Sequence, residues 1–207
     1  MRNVLTDIIL IVLFVAEMSF LFLPKVLHEI LGVAMFAAII FHVAINWRRI
    51  KFALPLTIAL TICAAIILMT GVFVSNYIFV DVAGFELRRN MTIHQLHVAV
   101  PYVMLILIGV HVGLNWNELW RRTLHLIGAE KFYQRWKKFF VMAAVILSAI
   151  GVAGFYLNRV ADRILMKHIF ATPATDLPAV LFMLMIIGGM AFFTAVTFLI
   201  DKKISKH

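Results

Sequence analysis

Polar positions interrupt this chain rarely, and they divide it into long apolar blocks. Predominantly apolar runs cover about residues 4–23, 27–47, 53–75, 93–116, 139–157 and 178–200. Each is long enough for a helix to cross the ~30 Å hydrocarbon core of a bilayer. The pattern predicts six transmembrane helices. The first run reads as a retained span, because its long apolar stretch follows only Arg2 and no small-x-small cleavage site precedes Pro24. Glycine, proline and charge mark the links: Pro24–Lys25, Arg48-Arg49-Ile50-Lys51, residues 76–92, the basic stretch 117–138, and residues 158–177. The segments 76–92 and 158–177 are the best placed to contact a partner.

Composition agrees with the pattern. With 64% hydrophobic and only 14% charged residues, the chain lacks the polar surface a soluble globule needs, so the fold class is all-α integral membrane. Charge placement then sets an orientation. The 48–51 link carries three basic residues and no acid, the 117–138 stretch six basic and two acidic, and the tail Lys202, Lys203 and Lys206. The remaining loops are nearly balanced, with Asp81 and Glu86 against Arg88 and Arg89, and Asp162 and Asp176 against Arg159, Arg163 and Lys167. The positive-inside rule therefore places both termini in the cytoplasm. It also accounts for the net charge of +9, together with anionic lipid heads, and no nucleic-acid partner is needed.

Within the second and fourth runs one motif occurs twice. His28 and His42 are followed by Asn46-Trp47, and His97 and His111 by Asn115-Trp116; each copy reads H-x13-H-x3-N-W. At an offset of 69 residues the copies also share Met35/Met104, Ile39/Ile108 and Val43/Val112. At ~100° per residue, a separation of 14 falls about 40° short of four turns, so both histidines of each helix point to one face. In the predicted topology the two helices run parallel. His28 then faces His97 near the outer surface and His42 faces His111 near the cytoplasmic one, with the pairs roughly 21 Å apart along the helices.

Imidazoles are costly in hydrocarbon unless their nitrogens have partners, and a low-spin haem iron accepts one on each side. Two facing pairs fit two stacked, bis-histidine b-type haems. Covalent attachment is not expected, because no C-x-x-C-H occurs. A histidine in an apolar helix can instead be a hydrogen-bonded core residue, although four at a repeated spacing argue against that. A zinc or copper site favours ligands converging on one point, often at i and i+4 on one helix. Trp47 and Trp116 need only the interface to explain them.

Other residues can serve such a centre. Gly32 lets a flat macrocycle approach the backbone, Pro101 loosens the fourth run near His97, and Met35 and Met104 read as soft packing. Arg88 and Arg89 are candidates to pair with outer haem propionates, and Arg48, Arg49, Arg121 or Arg122 with inner ones. Glu17 and Glu29 are candidate proton acceptors or partners for a histidine N–H. His94 lies about 100° from His111 on the wheel, so His97 is the better ligand. His125 and His168 read as solvated loop residues, and the lone Cys63 as packing.

The stretches LHEILGVAMFAAIIFHVAINWRRI, SNYIFV and LHVAVPYVMLILIGVHVGLNW resemble the flavinylation-associated cytochrome family of bacterial membrane proteins, across about residues 4–120. The doubled H-x13-H is more broadly similar to the haem helices of respiratory cytochrome b and transmembrane ferric reductases. The resemblance implies a bacterial inner-membrane dihaem cytochrome b. Residues 1–120 would form its four-helix haem-binding core and residues 121–207 two additional transmembrane helices. It implies electron transfer between the quinone pool and an extracytoplasmic flavin-bearing or other redox protein, with quinone as a further cofactor. The ligand roles carry over to His28, His42, His97 and His111 only. Two alternatives remain open: a ferric-reductase-like enzyme acting on a small acceptor at the outer surface, and a non-haem metal transporter or assembly protein.

Overall fold

The computed structural model describes residues 4–47, 54–82, 84–167 and 176–205, and among these the chain is helical without a strand. The basic 48–51 link, His168 and Lys206 lie outside the described residues. The helices are α1 (Val4–Met18), α2 (Lys25–Asn46), α3 (Leu54–Val74), α4 (Phe85–Arg88), α5 (Met91–Leu114), α6 (Trp116–Leu126), α7 (Glu130–Leu157), α8 (Val160–Ile164) and α9 (Ala179–Ile204). Five of them, α2, α3, α5, α7 and α9, are long and apolar enough to cross a membrane. Large side chains such as Val12, Ile40, Phe41, Val145 and Leu199 are more than half exposed, as expected where lipid is the solvent.

The first predicted run becomes a shorter helix than expected. α1 stops at Met18 because Ser19, fully buried, turns its hydroxyl back to the Val15 carbonyl at 2.8 Å. A 3-10 turn at Phe20–Phe22 and Pro24 then redirect the chain into α2. At 15 residues α1 is about 22 Å long, below the ~20 residues of an ordinary span. The basic stretch 117–138, read as a link, is instead largely helical. It forms α6 and the first turns of α7, joined at Gly128 (φ 63°), where the chain takes a left-handed turn. Trp136 leaves helical torsions (φ −107°, ψ 15°), separating an aromatic and basic lead-in from the apolar part of α7. That lead-in packs ring on ring: Trp116 stacks on Trp120 at 5.3 Å, and Trp120 meets Tyr133 at 5.2 Å.

Packing follows two principles. α7 and α9 meet through small residues: a Cβ at Gly151 would lie 2.0 Å from the Gly188 carbonyl carbon, and one at Gly188 would lie 2.3 Å from the Leu147 oxygen. Small residues allow that approach where lipid supplies no hydrophobic drive. α9 also lies along α5, where Gly109 faces Phe193 and the Thr194 hydroxyl donates to the Gly109 carbonyl at 3.1 Å. On the other flank α3 packs on α5, α1 on α2, and lighter contacts join α2 to α3 and α1 to α9. The result is a ring, α1-α2-α3-α5-α9, with α2 and α5 on opposite sides of a central gap.

Candidate functional site

That gap is a cavity of about 420 Å³ lined by residues of α1, α2, α3 and α5, with Arg163 of α8 and Phe182 of α9. Its walls are mostly apolar, including Phe14, Met35, Ile39, Ile67 and Met104, and both His28 and His97 open onto it. The volume lies in the range of small-molecule and cofactor sites.

His28 sits in the first turn of α2 and His97 in the second turn of α5. Their ring centroids are 6.2 Å apart with planes at 79°. Both lie at the N-terminal ends of their helices, so α2 and α5 run parallel. The other two histidines lie 14 residues on, roughly 21 Å further along the helices. There His111 is within electrostatic range of His42 and Asp7.

The second ring nitrogen of each histidine carries most of the chemical information. Glu17 Oε2 lies 2.9 Å from His28 Nδ1, close but off hydrogen-bond alignment, and Asp7 Oδ1 lies 3.0 Å from His42 Nδ1. A carboxylate only accepts, so a hydrogen bond across either gap has Nδ1–H as its donor; Asn46 Nδ2 also lies 3.5 Å from His42 Nδ1. Thr70 leads to the same assignment for His97. Its hydroxyl is 2.7 Å from the Ile66 carbonyl and 3.1 Å from His97 Nδ1. The single hydroxyl proton goes to the carbonyl, so the oxygen accepts from Nδ1–H. Each of these three Nδ1 atoms has an oxygen within 3.1 Å, and a bond to it leaves the Nε2 lone pair available, as hydrogen-bond partners do for metal-bound histidines. The Nδ1 atom of His111 is buried and has no hydrogen-bond partner among the described residues.

The asparagines of the doubled motif act locally. Asn46 Nδ2 donates to the His42 carbonyl at 2.8 Å, and Asn115 Nδ2 to the His111 carbonyl at 2.9 Å. At the end of α5 this satisfies a carbonyl that the helix leaves open, since the Asn115 backbone N–H goes to Val112 instead. Glu29, expected as a proton acceptor or histidine partner, is used elsewhere. It accepts from the Ser75 hydroxyl and from the backbone N–H of Asn76 and Ile78, each at 2.8 Å, and of Tyr77 at 3.2 Å. The carboxylate clasps the end of α3 to the start of α2. Glu29→Ala is expected to leave those N–H groups open and to cost about 1–3 kcal/mol. Thermal unfolding in detergent and proteolysis within residues 75–82 measure it; an unchanged melt with an equally resistant loop would refute the clasp.

The expected arginines are placed differently from one another and from the cavity. Arg88 donates to the Val80 carbonyl, and the Arg89 guanidinium lies 4.9 Å over the Phe85 ring. Both line a second cavity of about 380 Å³ that shares Val74, Asn76 and His94 with the first. Arg121 and Arg122 pair with Glu118 on α6. The guanidinium that lines the main cavity belongs to Arg163, 5% exposed, whose Nε donates to the Asn158 carbonyl at 3.0 Å and whose head lies 5.7 Å from the Tyr102 ring. Charge counting placed it in a loop, because α8 is a single turn that no periodicity announces. His94 contacts the Arg88 carbonyl through Nε2 at 2.9 Å. His125, read as solvated, is exposed and 3.1 Å from Glu130.

A haem passes the test of fit at the first pair. Imidazole–metal bonds of about 2 Å on each side bring two ring centroids to roughly 6 Å, the spacing of His28 and His97. Gly71 keeps the space beside His97 open, since a Cβ there would meet His97 Cε1 at 3.2 Å, whereas a Cβ at Gly32 would make only an ordinary contact with Glu17 Oε2 at 3.6 Å. Among the described residues no three His, Cys, Asp or Glu side chains gather as a metal cage; His28 and His97 meet as a pair.

Fold and site together define an all-helical, multi-pass membrane protein with an internal histidine-lined cavity. Comparison with known proteins gives no matching family model, no similar curated protein and no similar solved structure.

Proposed function

We propose that this chain carries electrons across a bacterial cytoplasmic membrane through two b-type haems, one held by His28 and His97 and the other by His42 and His111. One observation carries the reading: on two parallel helices that face each other across a cavity, three of these four histidines have an oxygen of Glu17, Asp7 or Thr70 within 3.1 Å of Nδ1, an arrangement that assigns Nε2 to the ligand. Bound haem supplies a one-electron iron couple at each position.

The chain's own contribution is positioning. The His28/His97 end holds one centre, and the spacing of 14 residues sets the other roughly 21 Å away, so two short steps replace one passage across the bilayer. Apolar walls line the first centre, and Arg163 stands at the cavity as a guanidinium able to meet a propionate carboxylate. We read α1 as the sixth span, since its contacts with α2 run from Asp7 and His42 at one end to Glu17 and His28 at the other. Lys202, Lys203, Arg121 and Arg122 gather at the Asp7 end, which we assign to the cytoplasm with both termini. The resemblance to flavinylation-associated cytochromes supports quinone on one side and a flavin-bearing extracytoplasmic protein on the other.

Liposomes that hold the chain and enclose ferricyanide test the proposal when dithionite is added outside. Enclosed ferricyanide should be reduced much faster than in protein-free liposomes, and His97→Ala or His111→Ala should remove the difference. A rate equal to that of empty liposomes would overturn transmembrane electron transfer.

A further inference from the structure

α1 does more than close the ring, because it brings one carboxylate to each histidine of α2. Glu17 Oε2 is 2.9 Å from His28 Nδ1, Asp7 Oδ1 is 3.0 Å from His42 Nδ1, and the pairs lie at opposite ends of one antiparallel hairpin. The α5 histidines have no carboxylate this close to Nδ1 among the described residues: His97 has the neutral Thr70 hydroxyl at 3.1 Å, and His111 feels Asp7 only at longer range. Glu17 Oε1 and His28 Nδ1 are both buried without a hydrogen-bond partner among the described residues, so the 2.9 Å gap between His28 Nδ1 and Glu17 Oε2 is one that a small ring rotation would turn into a bond.

We propose that Glu17 and Asp7 are positioning residues that set the reduction potentials of the two haems separately, Glu17 through His28 and Asp7 through His42. The inference rests on the haem reading above. A carboxylate on Nδ1–H makes the imidazole a stronger electron donor and fixes its ring angle. A stronger axial donor stabilises the ferric iron more than the ferrous, and the potential falls. Replacement of the carboxylate by its amide removes the charge, keeps the size, and should raise the potential of the attached haem alone.

Spectroelectrochemical titration of the full chain in detergent, at one fixed pH, tests this with four variants. Glu17→Gln should move the reduction equilibrium of one haem upward at least tenfold, about 59 mV for one electron, and leave the other in place. Asp7→Asn should move the other haem instead. Glu17→Asp and Asp7→Glu keep the charge and should stay closer to the parent than the amides, with two haems retained. Two bound haems whose potentials ignore all four changes would overturn the inference and leave the haem reading standing. Charge-retaining variants that shift as far as the amides would also overturn it, since the cause would then be packing. A parent chain that binds no haem would overturn both together.

Discussion

His28→Ala and His97→Ala should produce the same loss: haem content falls from about two to about one per chain, and the same spectral component disappears in each. The rings are 6.2 Å apart and share the cavity, so on the proposed ligation removal of either would leave a haem one ligand instead of two. His42→Ala and His111→Ala should together define the other component. His94→Ala is the control. Its ring also lines the cavity, but Nε2 is committed to the Arg88 carbonyl, and both haems should survive. A reduced-minus-oxidised spectrum with a pyridine haemochrome assay reads all five variants. Loss of a haem in His94→Ala with retention of both in His97→Ala would exchange the ligand assignment.

The second large effect is expected far from the histidines. Gly151→Leu places a branched side chain where the first added carbon already lies 2.0 Å from the Gly188 carbonyl carbon and 2.2 Å from the Gly189 nitrogen. Both obstacles are backbone, so no rotamer relieves the clash and α7 must separate from α9. The cost should exceed the ~1–3 kcal/mol of ordinary overpacking. α9 also packs on α5, so the disturbance should reach the helix that carries His97 and His111. Thermal unfolding in detergent should show a strongly lowered midpoint or no folded fraction. A parent-like melt would mean that the α7–α9 contact is dispensable.

These outcomes separate what the sequence shows from what only the fold shows. The doubled motif is legible because helical periodicity fixes which residues share a face, and it puts His28, Met35, Ile39 and His42 on one stripe without any tertiary information. The partner helix of each stripe is not local. Glu17 stands out in the sequence as an acid in an apolar run, but its contact with His28, and that of Asp7 with His42, depend on the hairpin angle. Ser19 and the 3-10 turn set that angle. Thr70 reads as a polar residue in a hydrophobic helix; its acceptor role appears only when α3 is laid against α5. Arg163 is not legible in the sequence because its one-turn helix folds back over Tyr102, whereas Arg88 and Arg89 stand out in the sequence only because they precede α5. The stretch 117–138 reads as a link because its apolar residues are scattered among charges, and the stripe of Trp116, Trp120 and Leu124 becomes visible only on a helical wheel.

The most direct measurement is the number of non-covalent haems bound to the chain purified in detergent from cells supplied with haem. The account predicts about two b-type haems per polypeptide, each with low-spin, bis-imidazole spectra. A colourless preparation, folded and monodisperse, would contradict it and return the four histidines to packing or to metal transport.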